Sequence, residues 1–69
     1  MVNNCYDLLQ YIYNNSESHS LVLSPNTSEL LHLSDDDLDM YIQQLVDMGY
    51  LKRYIRSVSL TQEGIDYIG

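Results

Sequence analysis

Lysine and arginine are absent from the first 51 of the 69 residues, a stretch that carries eight acidic side chains. The three basic residues, Lys52, Arg53 and Arg56, fall within the next five positions, and the whole chain carries −7. A domain that grips nucleic acid by charge normally shows a basic face; this one is an acidic body with one small basic spot. Cysteine is nearly absent too. The single Cys5 cannot form an internal disulfide and fits a reducing compartment. No apolar run approaches the roughly 20 residues needed to cross a bilayer, and no basic segment followed by an apolar one marks a secretory signal. A cytoplasmic protein with no membrane partner is expected. Glycine is scarce, three residues in all, and none belongs to a phosphate-cradling loop or a calcium-binding loop.

Catalytic chemistry finds no foothold in the residue pattern. No serine, threonine or cysteine stands in a recognisable nucleophile context. His19 and His32 are isolated and sit in or beside turns, which favours structural or solvent-facing roles over metal ligation or acid–base work. Cys5 lies on the inner side of the first expected helix and reads as a buried thiol rather than a nucleophile. We therefore expect no enzyme, no cofactor and no metal. With 69 residues the chain makes one domain, 1–69, and buries only about 60% of its unfolded surface, so self-association could reinforce it.

The stretch from Leu31 to Leu51 organises the rest. Ser34 is a good N-cap, its hydroxyl able to accept from an unpaired amide of the first turn. Asp35, Asp36 and Asp37 follow where the helix dipole favours anions, each worth roughly 0.3–1 kcal/mol. Leu38, Tyr41, Ile42, Leu45 and Met48 recur at three- and four-residue spacing and form one apolar stripe. Gly49 supplies a left-handed stop, and His32 occupies a turn that wants positive φ, which histidine tolerates better than most residues.

Around this helix the chain reads in order. Asn3 to Asn15 is a helix with Cys5, Leu8, Leu9 and Ile12 inward and Asn14-Asn15-Ser16 as its exit. Val2, Tyr6 and Tyr13 form a second row, which either covers the rim of the core or makes a dimer contact. Ser16 to Ser20 is a polar loop, and Leu21-Val22-Leu23 is a short run of strand type. Ser24-Pro25-Asn26-Thr27 starts a second helix, proline suiting its first position and Asn26 with Glu29 offering a cap. Leu30, Leu31 and Leu33 would aim that helix at the long one. Tyr50 to Ile55 and Val58 to Leu60 read as a tight hairpin turning at Arg56-Ser57. Thr61 caps a closing helix, Gln62 to Ile68, with Ile65 and Ile68 inward.

Three local signatures carry a resemblance. Leu31-His32-Leu33-Ser34 is similar to the "LGLS" turn of the winged-helix superfamily, with histidine in place of glycine. Leu45-Val46-Asp47-Met48-Gly49-Tyr50-Leu51 resembles its "LxxxGLI" helix exit, and Leu60-Thr61-Gln62-Glu63-Gly64 its "LTxxG" entry to the last helix. The resemblance implies an α+β, mostly helical fold: a three-helix core, a short β-hairpin wing and a short C-terminal helix. It also implies sequence-specific DNA binding, usually as a dimer, with the recognition helix entering the major groove by its N-terminal part. Carried over by position, the groove-facing residues are Asp35, Asp36, Asp37, Asp39, Met40, Gln43 and Gln44, and the wing would set Lys52, Arg53 and Arg56 beside phosphates.

The chain departs from that pattern where it matters most. DNA-reading members place Ser, Thr, Gln, Arg or Lys at the leading positions of this helix, and here four carboxylates stand there. A carboxylate can accept from the cytosine amino group, yet two anions 4 Å apart at an effective dielectric near 20 repel by about 4 kcal/mol. Three basic residues would release roughly three counterions, a small part of a typical site's electrostatic affinity. The aspartates read either as a solvated, dipole-matched helix start or as an acidic contact surface; a divalent-cation site is disfavoured because consecutive helical residues point apart. The basic trio either balances the acidic body along a hairpin edge or contacts an anionic partner. The expectation is a non-catalytic regulatory or interaction module whose acidic helix meets a protein, as an inhibitor or DNA mimic would, or a second copy. The alternative is a DNA-binding regulator that relies on the wing and a dimeric arrangement.

Overall fold

The computed structural model describes residues 2–15 and 17–69. Ser16, expected in the exit of the first helix, lies outside the described residues. Helix α1, Cys5–Asn15, begins two residues later than its apolar spacing suggests. The reason is a reciprocal cap: the Asn4 side chain accepts from the Asp7 amide at 2.9 Å, and the Asp7 carboxylate accepts from the Asn3 amide at 3.0 Å. The first bond satisfies an amide that the first turn leaves without a helical partner, and the second ties down the amide just before the cap. Cys5, Leu8, Leu9 and Ile12 are buried, the stripe read from the sequence.

Strand β1, Ser20–Val22, follows a turn in which His19 takes φ 53°. The His19 ring lies flat on Tyr13, centroids 4.4 Å apart, and its Nδ1 donates to the Tyr13 carbonyl at 3.0 Å. Helix α2 is a single turn, Thr27–Leu30. Its entry differs from expectation. Asn26 makes no side-chain cap; instead the Thr27 hydroxyl accepts from the Ser24 amide at 2.9 Å while the Thr27 amide donates to the Ser24 carbonyl. Leu31 is buried and Leu33 half-buried, but Leu30 is 71% exposed and does not face the long helix. A one-turn helix has room for only one inward row, and Thr27, Ser28 and Leu31 take it.

Helix α3, Asp35–Asp47, is built as expected at both ends. Ser34 accepts from the Asp37 amide at 3.1 Å, and His32 before it has φ 57°. At the far end Gly49 has φ 85°, the Gly49 amide donates to Val46 and the Tyr50 amide reaches back to Leu45. That pair of bonds is the Schellman arrangement, which satisfies two of the last carbonyls. Leu38, Ile42 and Leu45 are buried, Tyr41 is half-buried, and Met48, just past the helix, stays partly exposed.

Strands β2, Leu51–Arg53, and β3, Ser57–Leu60, form the hairpin, and the sheet order is β1-β3-β2, antiparallel throughout. The turn is Tyr54-Ile55-Arg56 rather than Arg56-Ser57, closed by the Tyr54 amide donating to the Ser57 carbonyl at 2.8 Å. Ser57 is held in the ladder because β3 is central: it pairs with Val22 of β1, and the Arg56 carbonyl accepts from the Leu23 amide. Pairing on that second side pulls Ser57 into the strand and leaves Ile55 out of it.

Thr61 caps helix α4, Gln62–Ile68, accepting from the Gly64 amide at 3.1 Å and donating to the Gly49 carbonyl. A Cβ at Gly64 would collide with the Tyr50 carbonyl oxygen, so this position needs glycine for its close approach. One hydrophobic cluster joins α1, α3 and the inner face of the sheet, with Leu8, Leu9, Ile12, Ile42, Leu45 and Val58 at its centre and Ile65 and Ile68 packed against it. The fold is α+β, in the expected order, with four helices and a three-stranded sheet among the described residues. About half of it is helical, less than a mostly helical composition. No helix among the described residues is long and apolar enough to cross a membrane.

Candidate functional site

The start of α3 is a carboxylate surface. Asp35, Asp36, Asp37 and Asp39 are all exposed, so the Ser34 cap that starts the helix also fixes where this charge stands. Asp35 accepts from the Ser28 hydroxyl of α2 at 2.5 Å. Asp39 takes the Arg53 guanidinium of β2 at 2.8 Å. Met40, Gln43 and Gln44 are exposed further along, with Gln43 donating to Asp47 at 2.9 Å, one turn on. Helical spacing puts Asp36, Met40, Gln43 and Asp47 on one outward side, opposite Leu38, Ile42 and Leu45. Asp39 falls on the side nearer the hairpin.

The three basic residues share a hairpin but not a face. Lys52 and Arg53 are neighbours in a strand and point to opposite sides. The Lys52 ammonium stands 5.7 Å from the centre of the Tyr54 ring, and Arg53 turns to Asp39. Arg56 is exposed in the turn. The Asp39–Arg53 pair is itself about half exposed, and such pairs contribute only about 0–1 kcal/mol. Its consequence is geometric: one of the chain's three cations is drawn onto the acidic helix.

Val2, Tyr6 and Tyr13 do not form one exposed row. Val2 precedes the helix start, so helical spacing does not govern it, and it is buried in the core cluster. Tyr13 is half-buried against His19. Tyr6 is 47% exposed and stacks on Tyr67 of α4, which stacks in turn on Tyr50, centroid separations 5.7 and 4.8 Å. The Tyr6 hydroxyl donates to the Met48 sulfur at 3.8 Å. Beside this ladder a groove of about 360 Å³ opens between α1 and the end of α3, lined by Cys5, Tyr6, Gln44, Asp47 and Met48.

No family model, curated protein or solved structure matches this chain. What the surfaces can do therefore rests on their own chemistry. Carboxylates at the start of α3 accept hydrogen bonds and attract cations; the groove offers aromatic and thioether surface with one carboxylate on its wall. Cys5 is buried at the groove floor. Among the described residues no three His, Cys, Asp or Glu side chains converge to hold a metal ion. Tyr67 and Tyr50 escaped the sequence reading because their partnership with Tyr6 joins opposite ends of the chain, and no spacing rule reaches that far.

Proposed function

We propose that the chain is a winged-helix interaction module without catalytic activity, acting in a reducing, cytoplasmic setting and binding a basic protein through the start of α3. In this reading α3 is the recognition helix and the β2–β3 hairpin is the wing. The element order, the β1-β3-β2 sheet, the positive φ of His32 and the glycines at positions 49 and 64 support the fold assignment. One observation carries the choice of partner: Asp35, Asp36, Asp37 and Asp39 all stand exposed where a DNA reader would meet the duplex, and Arg53 is bound to one of them. The helix dipole, which would draw a phosphate to this end, is already matched by side-chain anions. A basic nucleic-acid-binding protein is the best-suited partner, which makes the domain an inhibitor or a mimic of DNA.

The second reading is a dimeric DNA-binding regulator, favoured by the exposure of Lys52 and Arg56 on the hairpin. A gel-shift titration with random duplex DNA at low salt separates the two. Our reading expects no shift up to micromolar protein, and it expects a basic protein captured from host lysate by the wild type but not by Asp35→Asn/Asp36→Asn/Asp37→Asn. Tight DNA binding that weakens steeply with salt and disappears in Lys52→Ala/Arg53→Ala/Arg56→Ala would overturn it.

A further inference from the structure

The side chain most at odds with its surroundings is Ile55, 99% exposed at the tip of the hairpin. Half-exposed Tyr54 precedes it, with the Lys52 ammonium 5.7 Å from the centre of the Tyr54 ring, and exposed Arg56 follows it. The bond from the Leu23 amide to the Arg56 carbonyl, 2.7 Å, holds this tip against the end of β1, where Val22 is 69% exposed. The tip is thus an apolar patch edged with positive charge. The groove between α1 and α3 has the complementary make-up. Tyr6 and Met48 give it apolar walls, Asp47 stands on its side, and the Glu63 carboxylate lies beside Gly49, the residue after Met48.

We propose that the hairpin tip of one copy docks into the groove of a second copy, Ile55 against Tyr6 and Met48 and Arg56 against Asp47. Charge favours this pairing over a contact of either patch with itself. In a two-fold contact each patch meets itself. Groove on groove would bring Asp47 and Glu63 against their own counterparts, and no lysine or arginine lines the groove. Tip on tip would oppose Lys52 and Arg56 to themselves. Tip in groove covers apolar surface on both sides and joins opposite charges, and every lysine and arginine of the chain lies in the hairpin. The contact is heterologous, so each copy keeps one free tip and one free groove, and association continues past a pair unless a ring closes. It uses none of Asp35, Asp36 or Asp37 and stands or falls apart from the binding surface at the start of α3.

Sedimentation of the whole chain from about 10 μM to about 1 mM tests it, together with Ile55→Asp, which removes the tip, and Asp47→Arg, which removes the groove charge. Both positions are exposed, and circular dichroism confirms that the variants fold. Wild type should gain mass with concentration beyond a pair, while each variant alone associates at least about tenfold more weakly. An equimolar mixture of the two should form one-to-one pairs and nothing larger, since it holds one intact tip and one intact groove per pair. Asp36→Asn/Asp37→Asn should associate no more weakly than wild type. Wild type that stays monomeric throughout, variants that associate undiminished, or a mixture that fails to pair would each overturn the proposal.

Discussion

Two histidines occupy the left-handed region, and they do so for different reasons. His32 lies in the turn before α3 with φ 57° and its side chain exposed. His19 has φ 53°, but its ring stacks on Tyr13 and bonds the Tyr13 carbonyl. A left-handed conformation costs an L-residue roughly 1–2 kcal/mol, and glycine removes that strain at an unfolded-state cost of about 0.4–1 kcal/mol. His32→Gly should therefore stabilise the fold by about 0–1.6 kcal/mol. His19→Gly gains the same relief but loses a hydrogen bond worth about 1 kcal/mol and a ring contact worth roughly 0.5–1.5 kcal/mol, so it should destabilise. Urea melts of the two variants check the difference in sign. Only His32 could be read from the sequence, because its turn lies in a recognisable pattern. The conformation of His19 depends on a partner six residues back, presented by another element.

The two ends of α3 and the start of α4 are the most legible features, and their energetics follow from single bonds. Ser34 and Thr61 both accept from the amide three residues on. Replacing either by alanine should cost about 0.5–2 kcal/mol, with Thr61→Ala the more damaging because its hydroxyl also donates to the Gly49 carbonyl and so ties the start of α4 to the end of α3. Denaturant midpoints give the order; equal losses would mean that the Gly49 bond contributes nothing. Two elements differ from the sequence expectation, one for a long-range reason and one because two caps of the same short span compete. The hairpin turn moved to Tyr54-Ile55-Arg56 because β1 pairs with β3 from the other side, and α2 starts at Thr27 because Ser24 and Thr27 cap each other in place of Asn26 and Glu29. Caps and apolar stripes span three or four residues, so a sequence displays them. Strand pairing across more than thirty residues, the Asp39–Arg53 ion pair and the Tyr6–Tyr67 stack do not announce themselves that way.

At the scale of the molecule the dominant fact is charge on a small body. The radius of gyration is 10.7 Å, close to the roughly 11 Å of a folded domain of this length, and the net charge on it is −7. Self-repulsion of that charge opposes the compact state, while salt screens it over about 10 Å at 0.1 M. Two favourable terms are screened as well: the half-exposed Asp39–Arg53 pair, worth about 0–1 kcal/mol, and the dipole contacts of Asp35, Asp36 and Asp37, each roughly 0.3–1 kcal/mol. Ten acidic side chains against three basic ones leave more repulsive pairs than attractive ones, so the screened repulsion should win. Raising sodium chloride from about 10 mM to about 200 mM should therefore raise the thermal midpoint. Asp36→Asn, which removes one charge from the crowded start of α3, should shrink that rise. A midpoint that falls with salt would mean that the local contacts of α3 outweigh the repulsion. The carboxylates would then be chiefly the helix's own stabilising charge, and their display to a basic partner would lose its physical ground.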